Sequence, residues 1–314
     1  MRLIKTEDAV GHVLCHDMTQ IIKDQYKDAR FRKGHVVTEE DIPVLLSMGK
    51  EHLYVWEMTS GMVHENDAAE RLAALCGREN MTWSETKEGK IELKSAIEGV
   101  FLVDSARLFA VNSIDELMIA TRRGGGTVHP GDKLAGTRVI PLIIREEKLR
   151  QAEQAAGSAP LLSVRPFVRR TAAVITTGSE VAKGRIPDSF TPVVERKLAA
   201  FGIRMTEHIL VEDGQENVLE AIEQMKRRPV DMILCTGGMS VDPDDSTPGA
   251  IKASGADIVT YGAPVLPGAM FLLGYYADGR PIIGLPGCVM YAKATIFDLV
   301  LPRIAAGVRL KKRD

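Results

Sequence analysis

The chain has 314 residues, of which 45% are hydrophobic and 26% charged, and this composition fits a globular protein of about two domains. Forty Lys and Arg residues against 42 Asp and Glu give a net charge of -2, and 5% of the residues are aromatic, so the chain lacks the positive charge and the stacking surface of a general nucleic-acid-binding protein. The four cysteines are far apart and form no CxxC pair, which excludes a disulfide scaffold and a zinc knuckle.

Nothing in the sequence predicts a membrane segment. Arg2 and Lys5 place charges where a signal peptide needs an apolar core. No run of about 20 apolar residues occurs anywhere in the chain. We therefore expect a cytoplasmic protein that binds neither membranes nor nucleic acid.

Residues 1–60 are predicted to form a small α+β subdomain. Strand-like runs at 2–5, 12–18 and 52–56 surround one predicted helix at 38–48. Thr38 and Asp41 have the spacing of a capping box, which predicts the start of that helix.

Residues 61–160 are predicted to be mainly β, with a helix at each end. The first helix, 64–76, ends at Gly77, and the second is a linker helix at 145–157. Between them the sequence predicts strands, among them Phe101–Val111, and a hairpin turn at Glu88-Gly89-Lys90.

Residues 168–314 are predicted to form a three-layer α/β/α domain around a mostly parallel sheet, preceded by the α+β and β-rich amino-terminal region. Short apolar runs alternate with amphipathic stretches of helical length, which is typical of βαβ units. Asp213 is predicted to cap the helix that contains 218–228. Strands are predicted at 171–176, 203–211, 231–235, 257–261, 270–275 and 281–284, and helices at 191–201, 218–228, 248–253 and 289–306.

Two glycine-containing loops directly follow predicted strands of this sheet. The first is Thr176-Thr177-Gly178-Ser179-Glu180 and the second is Thr236-Gly237-Gly238-Met239-Ser240. Glycine lets a ligand approach the backbone closely, and hydroxyl groups can donate hydrogen bonds to a phosphate. Because ligands of parallel sheets bind beyond the carboxyl ends of the strands, the loops predict a phosphate site there.

Three acids, Asp242, Asp244 and Asp245, follow the second loop. Mg²⁺ takes one or two carboxylates together with phosphate oxygens, so these acids predict a magnesium-bridged phosphoanhydride. Alternatively, Asp244 or Asp245 only caps the helix that follows.

The order of these motifs, completed by Pro267-Gly268-Ala269-Met270 and Gly284-Leu285-Pro286-Gly287, resembles the molybdopterin-binding domain of molybdenum cofactor biosynthesis proteins. It is most similar to the molybdopterin molybdenumtransferases, or molybdenum insertases, of which it looks like a short, divergent subgroup. The resemblance covers about residues 171–304. It implies a homodimer that binds molybdopterin or its adenylate and inserts molybdate with Mg²⁺ and release of AMP.

The resemblance also implies roles for single residues. Glu180, Asp213 and Asp245 match acids of the family's motifs and would be catalytic, with Asp244 and Asp245 holding the metal. The cofactor would be bound by Thr177, Gly178, Ser179, Asp188, Thr236, Gly237, Gly238, Ser240, Pro267, Gly268, Pro286 and Gly287.

Departures from the family pattern keep two other functions open. Leu266 stands where the family often has a lysine, and Asp242 replaces a glycine. The amino-terminal segment that contributes to the active site of longer insertases is also missing. The alternatives are a molybdopterin-binding carrier or sensor without turnover, and a molybdopterin adenylyltransferase.

Two further side chains allow both a structural and a functional interpretation. His208 lies in a predicted strand, and a hydrogen-bonded or exposed histidine is expected there rather than a metal ligand. Cys288 opens a predicted helix, which would activate the thiol, but a buried neutral cysteine is the alternative.

Overall fold

The structure is a computed structural model that describes residues 2–22, 26–55, 61–240 and 246–314. It divides the chain into two compact units. The amino-terminal unit contains residues 1–94, 103–122 and 133–163, and the carboxy-terminal unit contains 95–102, 123–132 and 164–314. A further division at residue 60 stays a prediction. Within the described ranges, no helix is long and apolar enough to cross a bilayer.

The elements are numbered in chain order. The strands are β1 (Arg2–Lys5), β2 (Met18–Ile22), β3 (Tyr26–Phe31), β4 (His52–Val55), β5 (Met62–His64), β6 (Met81–Trp83), β7 (Lys90–Ser95), β8 (Gly99–Val103), β9 (Leu117–Thr121), β10 (Thr127–Val128), β11 (Lys133–Val139), β12 (Ile143–Arg145), β13 (Leu162–Arg165), β14 (Thr171–Thr177), β15 (Arg204–Val211), β16 (Met232–Thr236), β17 (Asp257–Tyr261), β18 (Leu272–Tyr275) and β19 (Pro281–Leu285). The α-helices are α1 (Asp41–Ser47), α2 (Glu65–Ala74), α3 (Ser105–Asn112), α4 (Glu146–Ala156), α5 (Ser179–Ala182), α6 (Thr191–Ala199), α7 (Gln215–Lys226), α8 (Thr247–Ala253) and α9 (Ile296–Ala305), and short 3-10 helices span Thr6–Asp8 and Gly287–Met290.

The amino-terminal unit is built from small antiparallel sheets. Its largest sheet has the order β6-β7-β11-β9, and separate pairs join β1 to β4, β2 to β3 and β5 to β12. Leu14, Leu45 and Leu53 are almost fully buried in one cluster of its core. The predicted hairpin turn is confirmed, because Glu88 and Gly89 both have positive φ between the paired residues Lys87 and Lys90.

Two strand predictions in this region were wrong. Residues 101–111 are not one strand, because β8 ends at Val103 and α3 begins at Ser105. The Asp104 carboxylate accepts a hydrogen bond from the Arg107 amide at 3.1 Å, so a helix cap interrupts the apolar run. Residues 12–18 form only isolated bridges at Val13 and Leu14 before β2 begins.

The carboxy-terminal unit contains a six-stranded sheet of order β15-β14-β16-β19-β18-β17. The first four strands are parallel, and β18 and β17 are antiparallel to their neighbours. Three parallel strands end side by side, with Thr176, Thr236 and Leu285 in register. This edge of the sheet therefore brings together loops that are far apart in sequence.

Helices cover both faces of the sheet, which gives the predicted three-layer α/β/α architecture. Met232 and Leu234 of β16 pack in the cluster that contains α6 and α9, while Ile233 and Cys235 pack in the cluster that contains α7 and α8. Every residue of β16 is buried. Full burial of one such aliphatic side chain contributes about 1.5–3 kcal/mol, so a central strand that is apolar on both faces stabilises both layers.

The last helix begins later than predicted. Residues 287–290 form a 3-10 helix, and α9 begins at Ile296. The Thr295 hydroxyl accepts from the Phe297 amide at 3.2 Å and the Asp298 carboxylate accepts from the Thr295 amide at 2.7 Å. This capping box fixes the helix start, which the apolar pattern of 289–306 had placed too early.

Candidate functional site

The first turn, residues 176–180, is held by the loop after β15. Gly178 has φ of +148° and its amide donates to the Val211 carbonyl at 3.1 Å. The Ser179 amide donates to the Asp213 carboxylate at 2.8 Å, and the Asp213 amide donates to the Ser179 hydroxyl at 3.3 Å. Asp213 therefore fixes the first turn.

The prediction that Asp213 caps the following helix was wrong. The helix α7 begins at Gln215, its N-cap is Gly214, and no side chain accepts a hydrogen bond there. The Asp213 carboxylate is drawn to the Ser179 amide because the parallel register places the ends of β14 and β15 together.

The second turn, residues 236–240, lies in contact with the first. Gly237 has φ of +85°, and a Cβ atom on it would lie 2.3 Å from the Thr177 carbonyl oxygen. The Thr177 hydroxyl donates to the Thr236 carbonyl at 3.1 Å. Only glycine fits at position 237, because a side chain would both strain the backbone and clash with the first turn.

Thr247 and Tyr261 hold the second turn, and sequence reasoning missed both. Buried Thr247 donates from its amide to the Gly238 carbonyl at 3.2 Å and from its hydroxyl to the Gly237 carbonyl at 2.9 Å. The Tyr261 hydroxyl donates to the carbonyls of Met239 and Ser240 at 3.3 and 3.4 Å. A threonine directly before Pro248 was a weak signal for the first, and no local signal identified Tyr261.

A polar cluster lies beside the first turn at the end of β14. The Thr176 hydroxyl is hydrogen-bonded to Thr191 at 3.0 Å and to His208 Nε2 at 3.1 Å. The Asp188 carboxylate accepts from the Thr191 amide at 3.0 Å and from the Thr191 hydroxyl at 2.5 Å. His208 is therefore hydrogen-bonded, and the Asp188 carboxylate is engaged at the start of α6.

Asp188 is held as a carboxylate by this environment. Its burial favours the neutral acid, but the hydrogen bonds from Thr191 and from the Phe190 amide, together with nearby His208, lower the pKa below the ordinary value. A ligand would meet an ionised side chain whose two oxygens already have partners.

One hydroxyl at this edge has no partner. Thr236 is completely buried, and no described residue forms a hydrogen bond with its Oγ1 atom. Alternation along β16 places this side chain on the face of Leu234, and its register partner is Thr176. A buried hydroxyl without a partner costs about 1–3 kcal/mol, so a ligand group that bonds it would recover that cost.

The other predicted loops reach the same edge of the sheet. Pro286 and Gly287 directly follow β19, and the register of Leu272 with Gly284 brings the start of β18, and with it the 267–268 segment, to that edge. Gly268 is buried against α9, since a Cβ atom there would lie 2.6 Å from Ile296 Cγ2. Gly268 is thus a packing residue, whereas Gly287 is exposed.

Of the acids predicted to serve catalysis or to bind the metal, some lie within the residues that the structure describes and others lie outside them. Glu180 is exposed in the first turn. Asp242, Asp244 and Asp245 lie outside the described residues, so the structure says nothing of the predicted metal ligands. In the described part of the chain, no group of three or more His, Cys, Asp or Glu side chains could hold a metal ion.

Cys288 is not an activated thiol in this structure. It is half-buried in the 3-10 helix after β19, and burial raises its pKa above the ordinary value. A raised pKa lowers the thiolate fraction and therefore the reactivity. The geometry favours the alternative of a neutral cysteine.

The fold is an α/β/α domain with two contacting glycine turns at the carboxyl edge of its sheet. Residues 173–306 match the sequence family described as a probable molybdopterin binding domain, and residues 3–57 match a domain of unknown function. The match to the probable molybdopterin binding domain therefore lies within the carboxy-terminal unit.

Individual relatives match only this part of the chain. A molybdopterin molybdenumtransferase of Staphylococcus epidermidis is 30% identical over 131 residues, which are 40% of this chain and 31% of that protein. A protein of Bacillus cereus (strain AH187), provisionally named competence-damage inducible, is 33% identical over 90 residues, 29% of this chain and 22% of its own. The chain thus spans less than a third of either relative.

Among solved structures, a molybdopterin biosynthesis protein from Mycobacterium abscessus is 17% identical to this chain, with a TM-score of 0.35. The match covers 44% of this chain and 93% of that one. The relatives carry two different names, so they support the domain family and do not single out the insertase branch.

Proposed function

We propose that the chain binds molybdopterin or its adenylate at the paired turns and inserts molybdate with Mg²⁺ and release of AMP. The observation that carries the proposal is the contact between the two turns, in which Gly237 leaves no room for a side chain beside Thr177. One phosphate-bearing ligand could therefore touch both turns at once.

The chemistry of the turns supports a phosphate ligand. Thr177, Ser179 and Ser240 contribute hydroxyl groups to the two turns, and Gly178, Gly237 and Gly238 are half-buried, so the backbone of the turns is partly exposed. Thr236 adds a buried hydroxyl that has no hydrogen-bond partner among the described residues. In this proposal the phosphate is bound at Gly237, Gly238 and Ser240.

The acids would serve the reacting end of the ligand. Glu180 is exposed beside the first turn and could position molybdate, and Asp213 keeps that turn in place through the Ser179 amide. Mg²⁺ would need Asp244 and Asp245, since the described residues supply no metal cluster. We therefore derive no step through the metal.

One observation favours binding without turnover. Leu266 is 85% exposed beside Pro267, at the position where the insertases often have a lysine. An apolar side chain cannot attract molybdate there, so a carrier or sensor of the cofactor is the second candidate.

The deciding experiment incubates the purified chain with adenylated molybdopterin, Mg²⁺ and molybdate and measures AMP and active cofactor. We expect AMP release that is lost in Asp245→Asn and kept in Asp115→Asn, a matched change of an exposed aspartate in the other unit. Tight binding without AMP would select the carrier, and adenylation of free molybdopterin by ATP would select the adenylyltransferase. No affinity for either form of the pterin would refute all three.

A homodimer is part of the proposal, because the resembling family is typically dimeric. Sedimentation equilibrium of the full chain tests it, and a monomer at all concentrations would contradict it.

A further inference from the structure

A second cavity lies within the amino-terminal unit. It has a volume of about 520 Å³ and is bordered by residues from segments 16–21, 50–54, 65, 88 and 138–142. Met18, Ile21 and Leu142 supply apolar wall, while the remainder is mostly polar or charged. A pocket of this size accommodates a small organic molecule.

His16 borders this cavity and has an unsatisfied ring nitrogen. Its Nδ1 atom is buried and has no hydrogen-bond partner among the described residues. Burial, assisted by the charge of Lys50 and by His64, lowers the pKa of His16 and keeps the imidazole neutral. A neutral imidazole with one open nitrogen can exchange a hydrogen bond with a ligand.

Glu65 contributes a buried carboxyl group. It is 9% exposed, and no described residue forms a hydrogen bond with its carboxyl oxygens. Its amide donates to the Leu142 carbonyl at 2.8 Å, and a Cβ atom on Gly89 would lie 3.1 Å from Glu65 Oε2, so the turn at Gly89 lies close to the side chain. Burial, followed by the charge of Glu88, raises the pKa of Glu65. Its protonated form is therefore favoured more than in an exposed glutamate.

Two positively charged side chains at the cavity are available to a ligand. Arg138 and Lys50 border it, and neither side chain forms an ion pair or a hydrogen bond with a described residue. Two of the three acids at the cavity already accept hydrogen bonds. The Asp17 carboxylate accepts from the Lys33 amide at 2.8 Å, and the Glu88 carboxylate accepts from Lys90 at 3.3 Å.

We propose that this His16 pocket binds a small organic anion with a carboxylate or phosphate head. The head pairs with Arg138 and Lys50, Glu65 and His16 exchange hydrogen bonds with its polar atoms, and the apolar body packs on Met18 and Leu142. Charge-assisted hydrogen bonds to arginine are the strongest contacts available to such a head. The site lies wholly in the amino-terminal unit, so it does not depend on the molybdopterin proposal.

The test titrates the full chain with four probes and follows the His16 ring resonance, assigned from its loss in His16→Gln. The probes are phenyl phosphate, benzoate, inorganic phosphate and benzyl alcohol. We expect saturable shifts with phenyl phosphate or benzoate, and at least tenfold weaker binding of inorganic phosphate and benzyl alcohol. The probe that binds more tightly identifies a phosphate or a carboxylate as the natural head.

Variants locate the binding. Arg138→Gln should weaken the better probe at least tenfold, and Glu65→Gln should weaken it less, because glutamine still donates a hydrogen bond. The matched control Arg150→Gln removes an exposed arginine of α4 and should leave binding unchanged. If Arg138→Gln does not fold by circular dichroism, Lys50→Gln replaces it. The proposal is overturned if neither organic anion shifts His16, or if Arg150→Gln weakens binding as much as Arg138→Gln.

Discussion

The two units build their candidate sites in different ways. In the carboxy-terminal unit, parallel strands end at one edge of a sheet, so each short loop carries several site residues and the register brings the loops together. In the amino-terminal unit, His16, Glu65 and Arg138 come from segments far apart in sequence and meet through packing of small antiparallel sheets. A site at the edge of a parallel sheet can therefore be recognised in the sequence as short motifs. The residues of a pocket between small sheets are scattered along the sequence and form no motif.

The largest expected effect breaks the contact between the two turns. Gly237→Ala should lower the free energy of unfolding by about 3 kcal/mol or more, because it combines left-handed backbone strain with a clash against Thr177. Urea denaturation of the full chain measures it.

Gly279→Ala is the matched control for that change. Gly279 has a similar φ of +83° but open space around the position of a Cβ atom. The Gly279→Ala change should therefore lower the free energy of unfolding by about 1 kcal/mol. If both variants lose the same free energy of unfolding, the two turns are not in tight steric contact.

Two threonine changes at paired positions should act in opposite directions. Thr236→Val removes a buried hydroxyl without a partner and should stabilise the chain by about 1 kcal/mol, while weakening molybdopterin binding. Thr176→Val removes a hydroxyl bonded to Thr191 and His208 and should destabilise the chain by about 1–2 kcal/mol.

Thermal unfolding and calorimetry with the pterin measure both quantities. A loss of stability in Thr236→Val would mean that the Thr236 hydroxyl already has a hydrogen-bond partner within the protein. The proposed contact between this hydroxyl and the ligand would then be wrong.

A pH dependence tests the His16 pocket. Burial raises the pKa of Glu65 in the folded chain, against opposing charges from Arg138, Lys33 and Lys90. The folded state therefore keeps this proton to a higher pH than the unfolded state does. The stability that Glu65 contributes is complete below its ordinary pKa of 4.5 and is lost as the pH rises through its pKa in the folded chain.

Glu65→Gln should remove that loss, so the difference in urea midpoint between variant and wild type should grow from pH 4.5 upward. Glu79→Gln changes an exposed glutamate of the same unit and should give a constant difference. A constant difference for Glu65→Gln as well would show that the carboxyl is not desolvated.

The smallest expected effect sharpens the role of Tyr261. Tyr261→Phe removes long hydrogen bonds to Met239 and Ser240, so we expect a loss of stability of about 0.5 kcal/mol and a few-fold loss of pterin affinity. Tyr291→Phe changes a tyrosine that is 76% exposed and should alter neither. Unchanged affinity in Tyr261→Phe would mean that the second turn keeps its shape without this contact.

The sequence predicted the carboxy-terminal fold well and its boundaries less well. The strand at 171–177 and the helix at 191–199 follow the predicted positions closely, since their apolar periodicity is local information. The start of α9 was predicted too early and α3 was predicted as strand, because single caps at Thr295 and Asp104 outweighed longer apolar runs. A helix cap depends on which side chain accepts a hydrogen bond from which backbone amide, and the hydrophobic pattern carries no information about that pairing.

By itself, the sequence determined the α/β/α class and the two glycine turns, because strand periodicity, glycine and hydroxyl residues act over a few neighbours. Only the tertiary structure decided that Asp213 holds the first turn, that the Thr236 hydroxyl stays unpaired and that His16 and Glu65 share a cavity. Those facts depend on register and packing between segments separated by tens of residues, and the distances across such gaps are fixed only when the chain has folded.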